Sequence, residues 1–454
     1  MYSMGDVSAN NFDRPLVAWL GDDFTGAAAV MEVLSFAGLR SILYLSAPGP
    51  EALPASNGLA GIGVATLARS RSPAWMEDNL PPLYDFLDQT RAEFVHYKIC
   101  STLDSSPTVG SIGKATDIGQ RHFGAAPVPV VTAAPEMRRY QAFGSLFCSA
   151  ADGVYRLDRH PVMARHPVTP MAEADVARHL SAQTQTPTGC ITLEDFAKGL
   201  ADQKFSGTPD IWSVDMISAD QQAEVGRLLW DHRHDSRFVV GSQGVEYALV
   251  SFLQSKGMIE TQPAPPGLGR DDRFAVVSGS VSPTSAAQIS WARNNGFAPI
   301  RLEAASLLGS DASLSEDQTL AAAKGALAAG VPPIVFTAEG PDDPALEHVR
   351  KAAAGDMDHA NDLIGRSLGR IMRALVDDLG LRRIAVSGGD TSGRVCEALG
   401  IYALEAVAPT IPGAAICRAR ASGPMEGLEI ALKGGQMGSP DYFGWVRDGG
   451  GKRT

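Results

Sequence analysis

Short, uninterrupted apolar runs recur along this chain, and most are followed by a loop of glycine, hydroxyl or charged residues and then by a stretch with helical periodicity. LVAWL (16–20) leads into GDDFTG and then AAAVMEVLSFAGL, a predicted helix that should stop near Gly38. SILYL precedes a stretch rich in Pro, Gly and Ser, GIGVATLA runs into RSRSP, and PVPVV into TAAPEMRR. EFVHYKI runs into CSTLDSSP and the helical SIGKATDIGQRHFG. IWSVDM precedes a polar helix beginning near Ser218, and RFVVG precedes SQGVEYALVSFLQ. Strands that are apolar on both faces and alternate with helices belong in a parallel sheet covered on both sides, so the predicted class is α/β.

A chain of 454 residues suggests two or three domains at roughly 150 residues each. Between Lys256 and Arg273 the text is dense in Pro and Gly and loses its periodicity, as a linker does. The expected division is a first domain over 1–260, a linker over 261–271 and a second domain over 272–454. Beyond the linker the pattern restarts with FAVV, the loop SGSVSPTS and the helix AAQISWARNNG, and PPIVFTA follows an Ala-rich helix. A long helix carries Ile364, Leu368, Ile371, Met372, Leu375 and Leu379 at helical spacing, ends near Gly380, and leads to RRIAV and SGGDTSG. Each domain should therefore hold a mostly parallel sheet covered by helices.

Charge narrows the partners. Lys and Arg number 39 against 51 Asp and Glu, a net charge of -12, with no basic run to attract nucleic acid or an anionic membrane. No segment approaches the roughly 18 uninterrupted apolar residues of a membrane span, and the polar start MYSMGDVSANNFDRP lacks a signal-peptide layout. Cys100, Cys148, Cys190, Cys396 and Cys417 contain no C-x-x-C pair, which suits a reducing cytosol. A cytoplasmic protein that handles small molecules is expected, as a monomer or a homodimer.

In open α/β sheets ligands bind beyond the carboxyl ends of the strands. In the first domain those positions carry Asp22 and Asp23, then Ser70 and Arg71, then Lys98, Ser101, Thr102 and Asp104, and then Arg138 and Arg139. Carboxylates accept hydrogen bonds from hydroxyls, and a guanidinium or ammonium holds a carboxylate, so the set fits a small polyhydroxy acid. Singly, each has a plainer reading: Asp22 or Asp23 as a helix cap beside Thr25, Arg71 and Lys98 as solvated cations, Asp104 to Ser106 as a turn before Pro107. Their shared place after successive strands favours a site.

The second domain offers glycine and hydroxyl groups instead. SGSVSPTS holds Ser278, Ser280 and Ser282, and Ser282 before Pro283 is a natural N-cap whose helix end suits an anion. SGGDTSG brings Gly388, Gly389, Asp390 and Thr391, where Asp390 is a candidate for magnesium. LKGGQMGSPDYF adds Lys433, Gly434, Gly435 and Gly438. Three such loops suggest a phosphate cradle, although no Walker A motif is present, no dinucleotide G-x-G-x-x-G stands at a strand-to-helix turn, and the elbow G-x-S-x-G is absent. His232 and His234 read as a solvated helix end, and His160 and His166 as structural.

GDDFTGA, SRS at 70–72, YKICSTLDSSPTVGSIGKATD at 97–117, HPVTPM at 166–171, SGSVSPTSAAQ, SGGDTSG and LKGGQMGSPDYF together resemble the four-carbon acid sugar kinase family, in order and spacing across nearly the whole chain. The resemblance implies an N-terminal sugar-acid domain, a C-terminal nucleotide domain, and phosphorylation of threonate, erythronate or 3-oxo-tetronate by ATP, whose phosphates the glycine loops and Lys433 are expected to hold with magnesium. It puts the acid on Asp22, Asp23, Arg71, Lys98 and Asp104, and ATP on Ser280, Ser282, Gly388 to Thr391 and Gly434 to Gly435. Where many members have a stretch like P-A-F-P-x-x-G-R-T, this chain reads TAAPEMRRYQAFG over 132–144, and Arg138 or Arg139 is left to take that arginine's role. The reading is a kinase with its active site in an interdomain cleft and Asp23, or else Asp390, as base. A sensor that binds the acid without chemistry is the alternative, and a nicotinamide-linked oxidoreductase is disfavoured by the missing fingerprint.

Overall fold

The computed structural model describes residues 12–49, 58–124, 126–150, 152–206 and 210–453. The opening MYSMGDVSANN and part of the Pro-, Gly- and Ser-rich stretch after SILYL lie outside them. The chain forms two compact units, one running to Gln262 and the other from Pro263.

In the first unit the strands are β1 (Val17–Gly21), β2 (Ser41–Tyr44), β3 (Gly61–Ala65), β4 (Phe94–Lys98), β5 (Val128–Val131), β6 (Arg139–Ala142), β7 (Ser145–Ser149), β8 (Val154–Arg156), β9 (Thr188–Ile191), β10 (Ile211–Val214) and β11 (Phe238–Gly241). The main sheet runs β2-β3-β1-β4-β11-β5-β10-β9, and every pairing along it is parallel. Helices α1 (Phe24–Phe36), α2 (Pro73–Gln89), α3 (Ile112–Phe123), α4 (Val176–Ser181), α5 (Leu193–Ala197), α6 (Ala201–Phe205), α7 (Ala219–His232) and α8 (Gly244–Ser255) connect the strands. Sequence chemistry marks their ends: Asp23, Ser111 and Ser218 cap α1, α3 and α7, and Gly38 follows α1 at φ 83°. All of β1 and β4 is buried, which accounts for their unbroken apolar text. Trp19 of β1 fills space left open by Gly63 opposite it, where a Cβ would overlap the indole, so Gly63→Ala would disrupt this layer.

The chain leaves β1 for β2 and β3 on one side and then crosses to β4 on the other. Connections diverge at the carboxyl ends of β1 and β4, the topological position where such sheets bind ligands. The antiparallel meander β6-β7-β8 forms a separate small sheet. Its hairpin turn, with Phe143 at φ 49° and Gly144 at φ 78°, is held by the buried Asp215 carboxylate, which accepts from the Phe143 and Gly144 N–H groups at 2.6 and 2.9 Å.

The second unit contains β12 (Phe274–Ser278), β13 (Ala298–Arg301), β14 (Pro333–Phe336), β15 (Arg383–Ser387), β16 (Ile401–Ala408), β17 (Ile416–Ala421) and β18 (Glu429–Lys433), with α9 (Pro283–Asn294), α10 (Ala312–Ala328), α11 (Ala345–Ala353), α12 (Met357–Leu379), α13 (Gly389–Leu399) and α14 (Tyr442–Arg447). Its order is β13-β14-β12-β15-β18-β17-β16, parallel as far as β18 and antiparallel from there to β16. Both units thus place their first four main-sheet strands in the order second, third, first, fourth, although the sequence carries no repeat of fixed period. The core packs Phe274, Val276 and Phe336 against Ile289 of α9 and Tyr442 and Phe443 of α14. The stretch read as a linker has no regular structure, and Leu268 and Asp271 donate to the carbonyls of Gly449 and Arg447 near the chain's end, both at 2.9 Å. Among the described residues no helix is long and apolar enough to cross a membrane.

Candidate active site

Asp22 and Asp23 follow β1, Arg69 follows β3, and Lys98 ends β4, so three adjacent strands deliver four charged groups to one sheet edge. Backbone bonds lock the loops together: Asp22 N–H donates to Lys98 O and Arg69 N–H to Asp22 O, both at 2.9 Å. The Arg69 guanidinium then forks onto Asp22, Nε to Oδ2 at 3.1 Å and Nη2 to Oδ1 at 2.6 Å, and Nη2 also reaches Asp23 Oδ1 at 2.7 Å. Asp23 Oδ1 in addition accepts from Gly26 N–H at 2.8 Å, so Asp23 is both the N-cap of α1 and part of the charged cluster.

Gly26 marks where the cluster closes. A Cβ there would stand 2.5 Å from Asp23 Oδ1, 2.9 Å from Lys98 Nζ and 3.5 Å from Arg69 Nη2, so only glycine leaves those groups room to converge over the start of α1. Burial pushes the Asp22 carboxyl up, and Arg69 pulls it back. For Arg69 burial works against the charge, but Asp22 and Asp23 overcome it and hold the guanidinium well above its usual value. Burial lowers Lys98, with Asp22 and Asp23 opposing. Lys98 is 2% exposed and its Nζ donates to Ile99 O at 2.7 Å. With Arg69 engaged by the two aspartates, Lys98 is the cation of this cluster best able to meet an incoming carboxylate.

The other residues marked in the sequence are more scattered. Ser70 and Arg71 are exposed; Ser70 Oγ bonds to Leu67 O at 3.0 Å, and the Arg71 guanidinium stands 5.8 Å from the Trp75 ring. Arg71 joins the site through its backbone, since its carbonyl accepts from Gly110 N–H at 2.9 Å and thereby ties the loop after β3 to the loop after β4. In that second loop Ser101 and Thr102 are buried, with Thr102 Oγ1 3.0 Å from Cys100 Sγ, and Asp104 Oδ1 bonds to the Thr169 hydroxyl. Leu103 between them is buried with φ 54°, a left-handed conformation that costs about 1–3 kcal/mol and is held by the surrounding bonds. In the divergent 132–144 loop Arg138 is exposed at φ 56°, while Arg139 Nη1 donates to Met137 O and Ser149 Oγ, each at 3.1 Å.

Sequence reasoning marked Ser70 and Arg71 and passed over Arg69. The 3-10 turn Ala68–Ser70 separates arginines two apart in sequence, aiming one at the aspartates and the other at solvent. A signal was present, an arginine directly after a strand, but no periodicity says which of two neighbours turns inward. His160 is structural as expected: its Nδ1 accepts from Met163 N–H at 3.2 Å.

In the second unit the loops after β12, β15 and β18 again come from adjacent strands. Ser282 caps α9, accepting from Ser285 N–H at 3.0 Å and donating to Gly435 O at 2.5 Å. Gly388 N–H donates to Lys433 O at 3.0 Å. A Cβ on Gly279 would overlap Thr391 Oγ1 and one on Gly435 would overlap Ser280 Oγ, so the three loops touch through positions that only glycine can fill. Ser278 is buried, and its Oγ has no hydrogen-bond partner among the described residues. Gly389 and Asp390 are exposed in the first turn of α13.

Lys433 is 1% exposed, and among the described residues its Nζ bonds only to hydroxyl and carbonyl groups: Gly434 O at 3.1 Å, Ser285 Oγ at 3.4 Å and Gly435 O at 3.5 Å. Burial lowers it to about 8. A buried ammonium with no carboxylate beside it is a site that an anion completes. Among the described residues no three His, Cys, Asp or Glu side chains gather as metal ligands, at Asp390 or elsewhere.

Comparison with known proteins gives a consistent picture. Residues 17–249 match the family profile of a sugar-binding N-terminal domain, and residues 275–443 that of a nucleotide-binding C-terminal domain. The chain is 43% identical over 444 residues to the 3-oxo-isoapionate kinase of Paraburkholderia graminis, covering 96% of this chain and 94% of that one. It is 30% identical over 442 residues to the 3-oxo-tetronate kinase of Methylobacterium radiotolerans, covering 94% and 98%. In fold it is similar to a Salmonella typhimurium protein described as a putative tRNA synthase, with a TM-score of 0.74, 23% identity and 96% and 98% of the two chains covered. A Haemophilus influenzae protein gives a TM-score of 0.73 at 23% identity, covering 95% and 99%.

Proposed function

The chain belongs to the four-carbon acid sugar kinase family, and from that premise we propose that it transfers the γ-phosphate of ATP to a hydroxyl of a small 3-oxo sugar acid. The observation that carries this reading is the contrast between two buried lysines, each ending a strand. Lys98 stands among carboxylates suited to the hydroxyls of an acid, whereas Lys433 stands among hydroxyls and carbonyls and lacks the anion that a triphosphate would supply. A sensor without chemistry would have no use for the second arrangement, and the named relatives are kinases.

Phosphoryl transfer to an alcohol is mainly positioning and neutralisation of charge. In the first unit Lys98 would hold the substrate carboxylate, Asp22 would keep Arg69 and Asp23 in place, and Asp104 would take a hydroxyl. Asp23 is the first choice of general base, because Oδ1 is occupied by Gly26 and Arg69 while Oδ2 has no protein partner among the described residues. Asp390 is the second. In the second unit Ser278, Ser280, Ser282, the Gly388 to Thr391 turn and Lys433 to Gly435 would hold the nucleotide phosphates. Magnesium fits this inventory if the phosphates supply most of its ligands, with Asp390 contributing a carboxylate or a bond to metal-bound water. Use of ATP and the cysteine pattern suit a cytoplasmic setting.

The higher identity to the 3-oxo-isoapionate kinase favours an acid of that type over 3-oxo-tetronate. The test is ADP release, in a coupled assay with magnesium, across 3-oxo-isoapionate, 3-oxo-tetronate, threonate and erythronate isomers. Turnover on one acid supports the reading and names the substrate. Absence of nucleotide binding overturns it.

A further inference from the structure

Asp104 sits in a loop stitched down on both sides, yet its carboxylate has a single hydrogen-bond partner among the described residues. Ser105 Oγ lies 2.8 Å from His179 Nε2 and accepts from Gln183 Nε2 at 3.1 Å. Gln183 Oε1 takes the Ser111 hydroxyl at 3.3 Å and Gly113 N–H at 3.2 Å. These bonds fix the backbone from Ser105 to Gly113 and leave the Asp104 carboxylate untouched. Its Oδ1 bonds to the Thr169 hydroxyl, His166 Nδ1 is 3.8 Å away and too distant for a hydrogen bond, and Oδ2 has no partner among the described residues.

Thr169 comes from a segment without strand or α-helix, and its orientation is specific: Thr169 is 3% exposed while Val168 beside it is 61% exposed. His166 accounts for that turn. Its Nδ1 accepts the Thr169 N–H at 3.1 Å and lies 2.9 Å from Thr169 Oγ1. The hydroxyl has one hydrogen and two acceptors in reach. Nδ1 is already served by the backbone N–H, and an ionised carboxylate is the stronger acceptor, so the hydrogen goes to Asp104 and the imidazole carries its own on Nε2.

We infer that Thr169, set in place by His166, is a positioning residue for the sugar acid: by occupying Oδ1 of Asp104 it fixes the carboxylate rotamer and leaves Oδ2 as the acceptor for a substrate hydroxyl. The inference rests on reading Asp104 as a sugar-acid residue. Removing the hydroxyl lets the carboxylate rotate about its Cβ–Cγ bond and present either oxygen.

The experiment compares Thr169→Val, which keeps the shape, with Thr169→Ser, which keeps the hydroxyl, by steady-state kinetics in both substrates and by thermal unfolding. Thr169→Val should raise the KM for the sugar acid about three- to tenfold, the cost of re-ordering one freed side chain when the substrate binds, with the KM for ATP unchanged and Thr169→Ser close to the parent. In an Asp104→Asn background Thr169→Val should add nothing further, because the group it positions has lost its charge. An unchanged sugar-acid KM in Thr169→Val, equal effects of Val and Ser, or full additivity with Asp104→Asn would each overturn the inference. If Thr169→Val does not fold, His166→Ala should give a smaller rise in the same KM, and no rise counts against the role. A parent protein that binds the acids without turning them over refutes the kinase reading alone, and the same comparison is then made by calorimetric binding of the acid. A parent that binds none of the acids removes both.

Discussion

Arg69 grips Asp22 through two nitrogens, Nε at 3.1 Å and Nη2 at 2.6 Å, so the buried carboxylate just past the end of β1 has its counter-ion built in before any substrate arrives. Removing the guanidinium would leave Asp22, 1% exposed, without that partner. Arg69→Met should therefore cost about 3–5 kcal/mol of stability and abolish sugar-acid turnover. Arg69→Lys should recover little of either, because an ammonium cannot reproduce the fork. Arg71→Met, at an exposed position, should unfold at the parent temperature. Denaturation of the three variants decides the matter, and a Tm for Arg69→Met equal to the parent's would refute the structural role.

Gly389 is the cleanest place to ask where nucleotide sits. A Cβ there meets nothing within 4 Å, and Gly389 lies outside the left-handed region, so a larger side chain costs the fold little. Gly389→Val should keep the parent Tm and weaken ATP binding at least tenfold, an effect that could come only from a clash with bound ligand. Gly435→Ala is the contrast, since its Cβ would overlap Ser280 Oγ and should disturb the empty loops as well. Calorimetric ATP titration of both, beside their melting curves, separates the two; parent-like ATP affinity in Gly389→Val would move the phosphates away from α13.

Much of this architecture was legible because its strands are buried on both faces and read as unbroken apolar text, as in VAWLG of β1 and RIAVS of β15. The meander was not legible for the opposite reason: VYR of β8 is largely exposed, and SLFCS of β7 is fully buried only at alternate positions while its central residues Leu146, Phe147 and Cys148 are all apolar. Glycines in the second unit announced loops where backbones approach, and Ser282 with Pro283 announced the start of α9. What no pattern could convey is the direction of individual side chains: that Arg69 rather than Arg71 meets the aspartates, or that Thr169 turns inward beside an exposed Val168. Those depend on a single 3-10 turn and on an irregular segment, where local text does not determine the path.

Lys433 should make both stability and nucleotide binding depend on pH. Its value falls from 10.5 in the unfolded chain to about 8 on burial. Between those limits the unfolded chain binds more protons than the folded one, so this group makes stability rise with pH across that window, by about 3 kcal/mol. Below it the full penalty of burying the ammonium applies. A bound triphosphate favours the charged form, so binding above about pH 8 should take up a proton and weaken as pH rises, approaching tenfold per unit. Calorimetry in two buffers of different ionisation enthalpy should reveal the uptake, and Lys433→Met should abolish it while weakening ATP binding at neutral pH. Proton uptake that persists in Lys433→Met would assign the effect to another group.

Asp23 combines two duties that one substitution can separate. As N-cap it accepts from Gly26 N–H at 2.8 Å, a role asparagine fills about as well. As an anion it meets Arg69 Nη2 at 2.7 Å and, as the proposed base, would take the proton of a substrate hydroxyl; asparagine can neither supply that charge nor take a proton. Asp23→Asn should thus keep α1 intact, leave the KM for ATP within about twofold, and lower kcat by about 10²–10⁴, the range of a lost general base. The ATP arm matters because Asp23 and the glycine loops belong to different units, so a defect in nucleotide binding would point to a damaged fold rather than to lost chemistry. Near-normal turnover in Asp23→Asn would remove it as the base and pass the role to Asp390, where Asp390→Asn, at an exposed position, can be examined in the same assay.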